Sequence, residues 1–269
     1  MRHSVLSDQW NRMLQDVEAT SAVWRLWLLL GWNDIATQYR RSFLGPIWIT
    51  LSTGIFVFAF GLLGAQIFGQ TAENFLPYFA VGYVIFIFFS SVITDGCETF
   101  SSADSYLRHG GFPKLMFPLR VLVRNLVLLG HNLVIILLVL LWAGLLGEVR
   151  WLQALAALLF CLPVAVCVVV ILGCLSARFR DIPMMVRSIM QIMFFMTPVF
   201  WSAEALSERA AFVISLNPLA LFLDLLRAPL LGQWVTASQW INAIGWLLGL
   251  SLMAVGVFLV CRRRLVYWV

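Results

Sequence analysis

WLQALAALLFCLPVAVCVVVILGCLSA, residues 151–177, holds no charged residue and is closed by Arg178 and Arg180. About 20 apolar residues cross a bilayer, because the hydrocarbon is roughly 30 Å thick and a helix rises about 1.5 Å per residue. Backbone groups in lipid must bond within their own segment, so such a run is a helix. Five similar runs lie on either side of it. Residues 46–68 follow Arg40 and Arg41. Residues 75–94 stop at Asp95 and Glu98. Residues 119–146 begin with Arg120 and Arg124, long enough to snorkel to the headgroups. Residues 182–201 carry Arg187 one turn in, and residues 240–261 end at Arg262, Arg263 and Arg264. The expected fold is an all-α polytopic membrane protein with six transmembrane helices.

The composition agrees. The chain has 269 residues, 62% hydrophobic and 12% charged, where soluble domains run about 25% charged. A net charge of +5 would suggest nucleic acid in a soluble protein, but here the arginines sit between the apolar runs and no nucleic-acid partner is expected. With the N-terminus in the cytoplasm, fifteen of the eighteen Lys and Arg residues fall on the inner side. Only Arg150, Arg209 and Arg227 fall outside. Such a bias sets topology and places both termini in the cytoplasm.

Residues 1–21 are polar and lack an apolar core, so no cleavable leader is expected and the first span is expected to target the chain as well. The stretch 22–35 (AVWRLWLLLGWNDI) is too short to cross. It suits an amphipathic helix on the cytoplasmic leaflet, with Trp24, Trp27 and Trp32 at headgroup depth, or else the buried start of a longer helix. The stretch 210–223 is broken by Asn217-Pro218, since proline withholds a helical hydrogen bond. Two short outer-side helices between spans five and six are expected there. The two halves show no duplication of the inverted-repeat kind.

No GxxxxGK[ST] loop, HExxH, CxxC or GxSxG pattern occurs. The chain is therefore expected to be no enzyme and to hold no metal or cofactor. Its five cysteines lack zinc-ligand spacing and read as small buried hydrophobes. Asp95 and Glu98 share a helix face and could do acid–base work or pair with Arg120 or Arg124. His131 and Asn132 could form a proton relay or a hydrogen bond between helices. Charge is otherwise scarce inside the spans, which speaks against an ion-coupled carrier. Aromatics are abundant. Phe56 and Phe60, Tyr83 and Phe86, and Phe194 and Phe195 offer faces on which sugar rings can slide, or ordinary packing.

At residues 38–48 (QYRRSFLGPIW) and 178–201 (RFRDIPMMVRSIMQIMFFMTPVFW) the chain resembles the membrane subunit of ABC-2-type exporters of lipid-linked polysaccharide, O-antigen permeases in particular; teichoic-acid and capsule permeases belong to the same family. The likeness runs from about residue 22 to the end, and NPL at 217–219 matches the family's outer loop. HGGFPKLMFP (109–118) departs from the more lysine-rich stretch usual there. The resemblance implies a bacterial inner-membrane homodimer moving lipid-linked polysaccharide. It also implies two ABC ATPase subunits, which would carry the ATP and Mg. Arg40, Arg41, Leu44 and Gly45 would meet the lipid-pyrophosphate head, where adjacent guanidiniums can bind phosphate bidentately; the same arginines also suffice as a topology anchor. Trp24, Arg25, Tyr106, Arg108 and Lys114 would touch the ATPase, and Asn217 and Pro218 would form an outer gate. A permease for small lipophilic drugs, an ATP-independent flippase and a membrane glycosyltransferase are the rival readings.

Overall fold

A computed structural model describes residues 2–40, 42–45, 47–201 and 216–269, with side chains from residue 10 onward. Arg41, Pro46, Arg209 and the first part of the 210–223 segment lie outside the described residues. The described residues are helical and contain no strand. In order the helices are α1 (Arg2–Ala22), α2 (Trp24–Gln38), α3 (Ile47–Ile67), α4 (Ala72–Cys97), α5 (Asp104–Arg108), α6 (Met116–Trp142), α7 (Trp151–Arg178), α8 (Ile182–Met196), α9 (Pro218–Leu230), α10 (Ala237–Cys261) and α11 (Leu265–Trp268).

Helix α4 is the hub. It packs against α3, α6, α7, α8 and α9, and its most apolar stretch is 67% buried against 22% for α3 and 17% for α10. The outward faces of α3 and α10 stay apolar, as lipid or another membrane helix requires. Among the described residues, five helices are long and apolar enough to cross a membrane: α3, α4, α6, α7 and α10.

The fifth expected span is the exception. Helix α8 ends at Met196 instead of continuing to residue 201, because Pro198 disfavours helical backbone at Thr197, which is extended (ψ 138°). Its 15 residues are about 22 Å long. The chain still travels the length of the bundle here. Ile182 follows the end of α7, whereas Pro229 O accepts the amide of Arg150 at the start of α7 (2.9 Å). The third span also ends early, at Trp142 rather than 146. Gly144 takes φ +72°, and the amides of Gly144 and Leu145 close on Leu141 O and Leu140 O, a Schellman stop. Helix α4 runs three residues beyond each expected end.

The N-terminal segment differs from expectation. Residues 2–22, read as merely polar, form α1, and the expected surface helix becomes α2, offset to 24–38. The two join at Val23, and Trp27 Nε1 donates to Thr20 O (3.2 Å). Helix α2 lies along α6, tied by Arg120, whose Nε and Nη2 donate to the two carboxylate oxygens of Asp34 at 2.7 and 2.6 Å. The crossing is tight. A Cβ on Gly31 would come within 2.8 Å of Val123 Cγ1 and 2.9 Å of Arg120 O. Gly31→Val is therefore expected to lift α2 from α6 and to destabilise the protein by about 1–3 kcal/mol. Thermal unfolding in detergent, with protease sensitivity of residues 1–38, measures this; wild-type values for both would contradict it.

Among the described residues, basic side chains find partners at two ends of the bundle. At one end Lys114 donates to Arg262 O, Arg108 donates to Val269 O (2.8 Å), and Arg262 pairs with Asp16. Arg187 pairs with Glu98. At the other end Arg150 Nε donates to Gly232 O (2.7 Å) and stacks on Trp234.

Candidate functional site

The aromatic residues expected along a path converge. Helical spacing puts Phe56 above Phe60 on α3, and their rings stack at 5.8 Å. Phe56 meets Tyr83 of α4 at 4.6 Å. Phe194 of α8 then approaches Tyr83 at 6.0 Å, Phe86 at 5.3 Å and Phe195 at 5.3 Å. Phe56, Tyr83, Phe86, Phe194 and Phe195 line one open groove of about 680 Å³. Phe60 lies outside its lining and continues the ring series to Phe200 at 5.8 Å. Phe79 was not singled out in the sequence, yet its ring bridges Phe60 (4.6 Å) and Tyr83 (5.4 Å). Its place four residues before Tyr83 was the available signal.

The groove is graded. Ser90, Ser91, Thr94 and Gln191 line it together with the rings, and Arg187 is the charged residue of its lining. Charge there is neutralised, since Arg187 pairs with Glu98. A wall of ring faces and hydroxyls suits a neutral polyhydroxylated chain. Ring faces meet C–H surfaces without fixing one position, whereas charged groups would hold a polymer at set points.

At the basic end a polar cavity of about 550 Å³ opens under α2, lined by Asp34, Asp95, Glu98, Tyr106, Arg120 and Arg124 among others. Here the expected ion pairs are partly re-sorted. Asp95 faces Arg124 (3.9 Å) and accepts from Asn125 Nδ2 (3.1 Å). Glu98 goes to Arg187 and Arg120 to Asp34, because α8 and α2 reach those groups first. Asp95 and Glu98 thus answer to different cations and do not form a carboxylate pair. The His131 ring also does not bridge helices. Its Nδ1 sits 2.8 Å from Val127 O in its own helix, while its backbone carbonyl accepts from Thr50 of α3 (3.1 Å).

Arg40, Leu44 and Gly45 lie on the turn between α2 and α3, where Gly45 has φ +58°. Arg40 is exposed and Leu44 half-buried. None of the three lines the aromatic groove. The residues expected to touch a partner divide. Trp24 is exposed, with the Arg25 guanidinium 5.3 Å over its ring. Tyr106 instead faces inward under Arg120 (5.8 Å). Lys114 is bound to Arg262 O, and burial, then the charge of Arg262, push it below the ordinary lysine range. Lys114 is therefore a tie between the 109–115 loop and the end of α10, and Arg108 ties the same region to Val269.

Asn217 and Pro218 start α9. Asn217 Oδ1 accepts the Leu219 amide and its Nδ2 donates to Thr197 Oγ1, both at 3.0 Å, with proline at the first helical position as capping favours. The dominant residue of this corner was missed. Arg227, 6% exposed, donates to Pro198 O at 2.6 Å, pairs with Asp224 and lies 4.1 Å over the Tyr78 ring. Tyr78 in turn donates to Trp201 O (3.0 Å). An arginine three residues after an aspartate in an otherwise apolar segment was the signal.

Five membrane-length helices, arginines sorted to the ends and an aromatic groove beside a short broken helix define a multi-pass membrane protein of the transporting kind. Residues 25–231 match the ABC-2 type transporter family, and the chain belongs to it. It is 28% identical over 193 residues to an O-antigen export system permease protein RfbA of Myxococcus xanthus, covering 70% of this chain and 73% of that one. Two proteins of the same name from Klebsiella pneumoniae are 23% and 22% identical over 194 residues, with the same coverage.

Proposed function

We propose that the chain is the permease subunit of an ATP-driven exporter that carries lipid-linked polysaccharide, O-antigen above all, from the cytoplasmic to the outer face of a bacterial inner membrane. The aromatic groove carries this reading: five of the six expected rings line one face, the relatives are named for O-antigen export, and the groove is uncharged but for a neutralised arginine. Two copies would meet so that their grooves enclose the path. The basic end would face the cytoplasm and two ATPase subunits, which supply the energy. The exposed Trp24–Arg25 corner supports docking there. The run of α8 from the end of α7 to Trp201, whose carbonyl accepts from Tyr78 near the start of α4, supports six crossings, with α8 as the fifth.

A deletion strain decides the matter. The wild-type chain should restore surface glycan, and in vesicles export should need both the ATPase and nucleotide; export without nucleotide would defeat the reading. Replacing Arg40 and Arg41 together by Gln should lower export at least tenfold with membrane insertion unchanged, and full export would remove their role at the lipid pyrophosphate.

A further inference from the structure

Helices α7 and α10 both run into arginines, and the two ends meet. Arg178 closes α7 and Arg180 follows it, while Arg262, Arg263 and Arg264 follow α10. The short helix α11 then folds the chain back onto α7. Leu265 anchors it, fully buried in the cluster that holds Phe258 and Cys174. Trp268 is thereby laid beside the end of α7, with the Arg178 guanidinium 5.4 Å over its ring. Trp268 and Arg180 line one cavity of about 340 Å³, together with Ser101, Ser176 and Pro183. Arg264 lies one turn before Trp268, whose amide donates to Arg264 O (3.1 Å).

Arg178, Arg180 and Arg264 are exposed, and none of them has an acidic partner among the described residues. The carboxylates that border the cavity are already engaged, Glu98 by Arg187 and Asp104 by Arg108. Asp181, exposed next to Arg180, offsets part of the charge, and the patch stays positive. Both helices are membrane-length, so their ends sit at headgroup depth. Phe179, Met184, Met185 and Tyr267 are exposed on the same segments, an apolar fringe suited to the boundary between headgroups and acyl chains. Topology asks only for positive charge near a helix end. It does not ask for three guanidiniums gathered around an indole ring that a buried leucine holds in place.

We infer that this patch binds an anionic phospholipid of the leaflet it faces, with a lipid of two phosphates preferred. Phosphate oxygens accept from Arg178, Arg180 and Arg264, as guanidiniums favour. Trp268 holds Arg178 through the face of its ring, and the acyl chains lie against the apolar fringe. Basic pockets at the cytoplasmic ends of membrane helices take such headgroups. Three guanidiniums exceed what one phosphate diester neutralises, hence the preference for two. The bound lipid bridges the end of α7 to the end of α10 and keeps α11 docked. The site stands apart from the cargo of the proposed function, and its test does not depend on export.

The test titrates lipid into the purified full-length chain in detergent and reads retention by native mass spectrometry, with thermal unfolding alongside. The probes are cardiolipin, phosphatidylglycerol and phosphatidylcholine, with inorganic phosphate as competitor. The wild type should retain cardiolipin at least tenfold better than phosphatidylcholine, with phosphatidylglycerol between, and cardiolipin should raise the thermal midpoint. Arg178→Gln, Arg180→Gln and Arg264→Gln should each weaken retention roughly fivefold, the worth of one cation near an anionic surface. The triple variant should lose the preference altogether. Trp268→Leu removes the ring and no charge, and should weaken retention about threefold, with Trp268→Phe restoring most of it. Equal retention of all three lipids by the wild type, or an unaltered preference in the triple variant, would overturn the inference. Wild-type retention in Trp268→Leu would reduce the site to diffuse surface charge and overturn it as well. Displacement of cardiolipin by millimolar phosphate would overturn the lipid part and assign a soluble anion. A triple variant that keeps its lipid preference but no longer co-purifies with an ATPase would assign the patch to a protein partner and overturn the lipid. If the triple variant fails to insert, Arg180→Gln alone decides, since its side chain is exposed and bonded to nothing among the described residues.

Discussion

Arg227→Leu is expected to be the most damaging single change outside the helix crossings, lowering stability by about 2–4 kcal/mol: Arg227 is buried, but the Asp224 side chain left behind keeps 35% exposure, so the loss falls short of the full range for a buried ion pair. Four connections end at or beside this side chain: the bond to Pro198 O, the pair with Asp224, the stack on Tyr78, and through Tyr78 the bond to Trp201 O. Together they press the 197–201 turn onto α4. Arg227→Lys should rescue little, because an ammonium is a point donor and cannot serve Pro198, Asp224 and the ring in the manner of a planar fork. The readout is thermal unfolding together with maleimide labelling of Val199→Cys in a background without the native cysteines. Val199 is fully buried, so the thiol should be silent beside Arg227 and reactive beside Leu. Silence in both backgrounds would mean that another contact holds the turn.

Arg120→Ala should release α2, with a loss of about 2–3 kcal/mol, below the range for fully buried pairs because both partners keep some solvent. Asp34 would lose two charge-assisted bonds, and Tyr106 would lose the cation above its ring. The Asp34→Ala, Arg120→Ala double variant should lose less than the sum of the single losses, the signature of a direct interaction. Strict additivity would show that α2 is held by apolar packing around Gly31 alone. Export and ATP hydrolysis should separate in Arg120→Ala, with hydrolysis surviving, if α2 carries motion from the ATPase into the bundle.

The spans were legible because lipid imposes a single rule on every helix: enough apolar residues, with arginines at the ends. That rule located α3, α4, α6, α7 and α10 to within a few residues. It failed where backbone chemistry overrides hydropathy. Residues 197–201 and 143–146 are as apolar as their neighbours, yet Pro198 and Gly144 end the helices before them. It also failed for α1, since a polar sequence gives little burial signal and Asp16 of α1 meets its partner, Arg262, only from the far end of the chain. Pairing partners were illegible for the same reason. Glu98 finds Arg187 and Asp34 finds Arg120 only after three-dimensional packing brings them together. The aromatic path was partly legible: i to i+4 spacing linked Phe56 to Phe60, but the convergence of α3, α4 and α8 on one groove needs the fold.

The shortness of α8 has an effect of its own on the surrounding lipid. As a crossing, a helix about 22 Å tall beside a hydrocarbon layer of about 30 Å would leave a mismatch, which a bilayer relieves by thinning and by letting headgroups dip inward. That dimple would fall beside the groove, which Met190, Gln191, Phe194 and Phe195 of α8 help to line. A sugar polymer passing there would have fewer residues stripped of water at any instant than in an undisturbed membrane, and its desolvation barrier would be correspondingly lower.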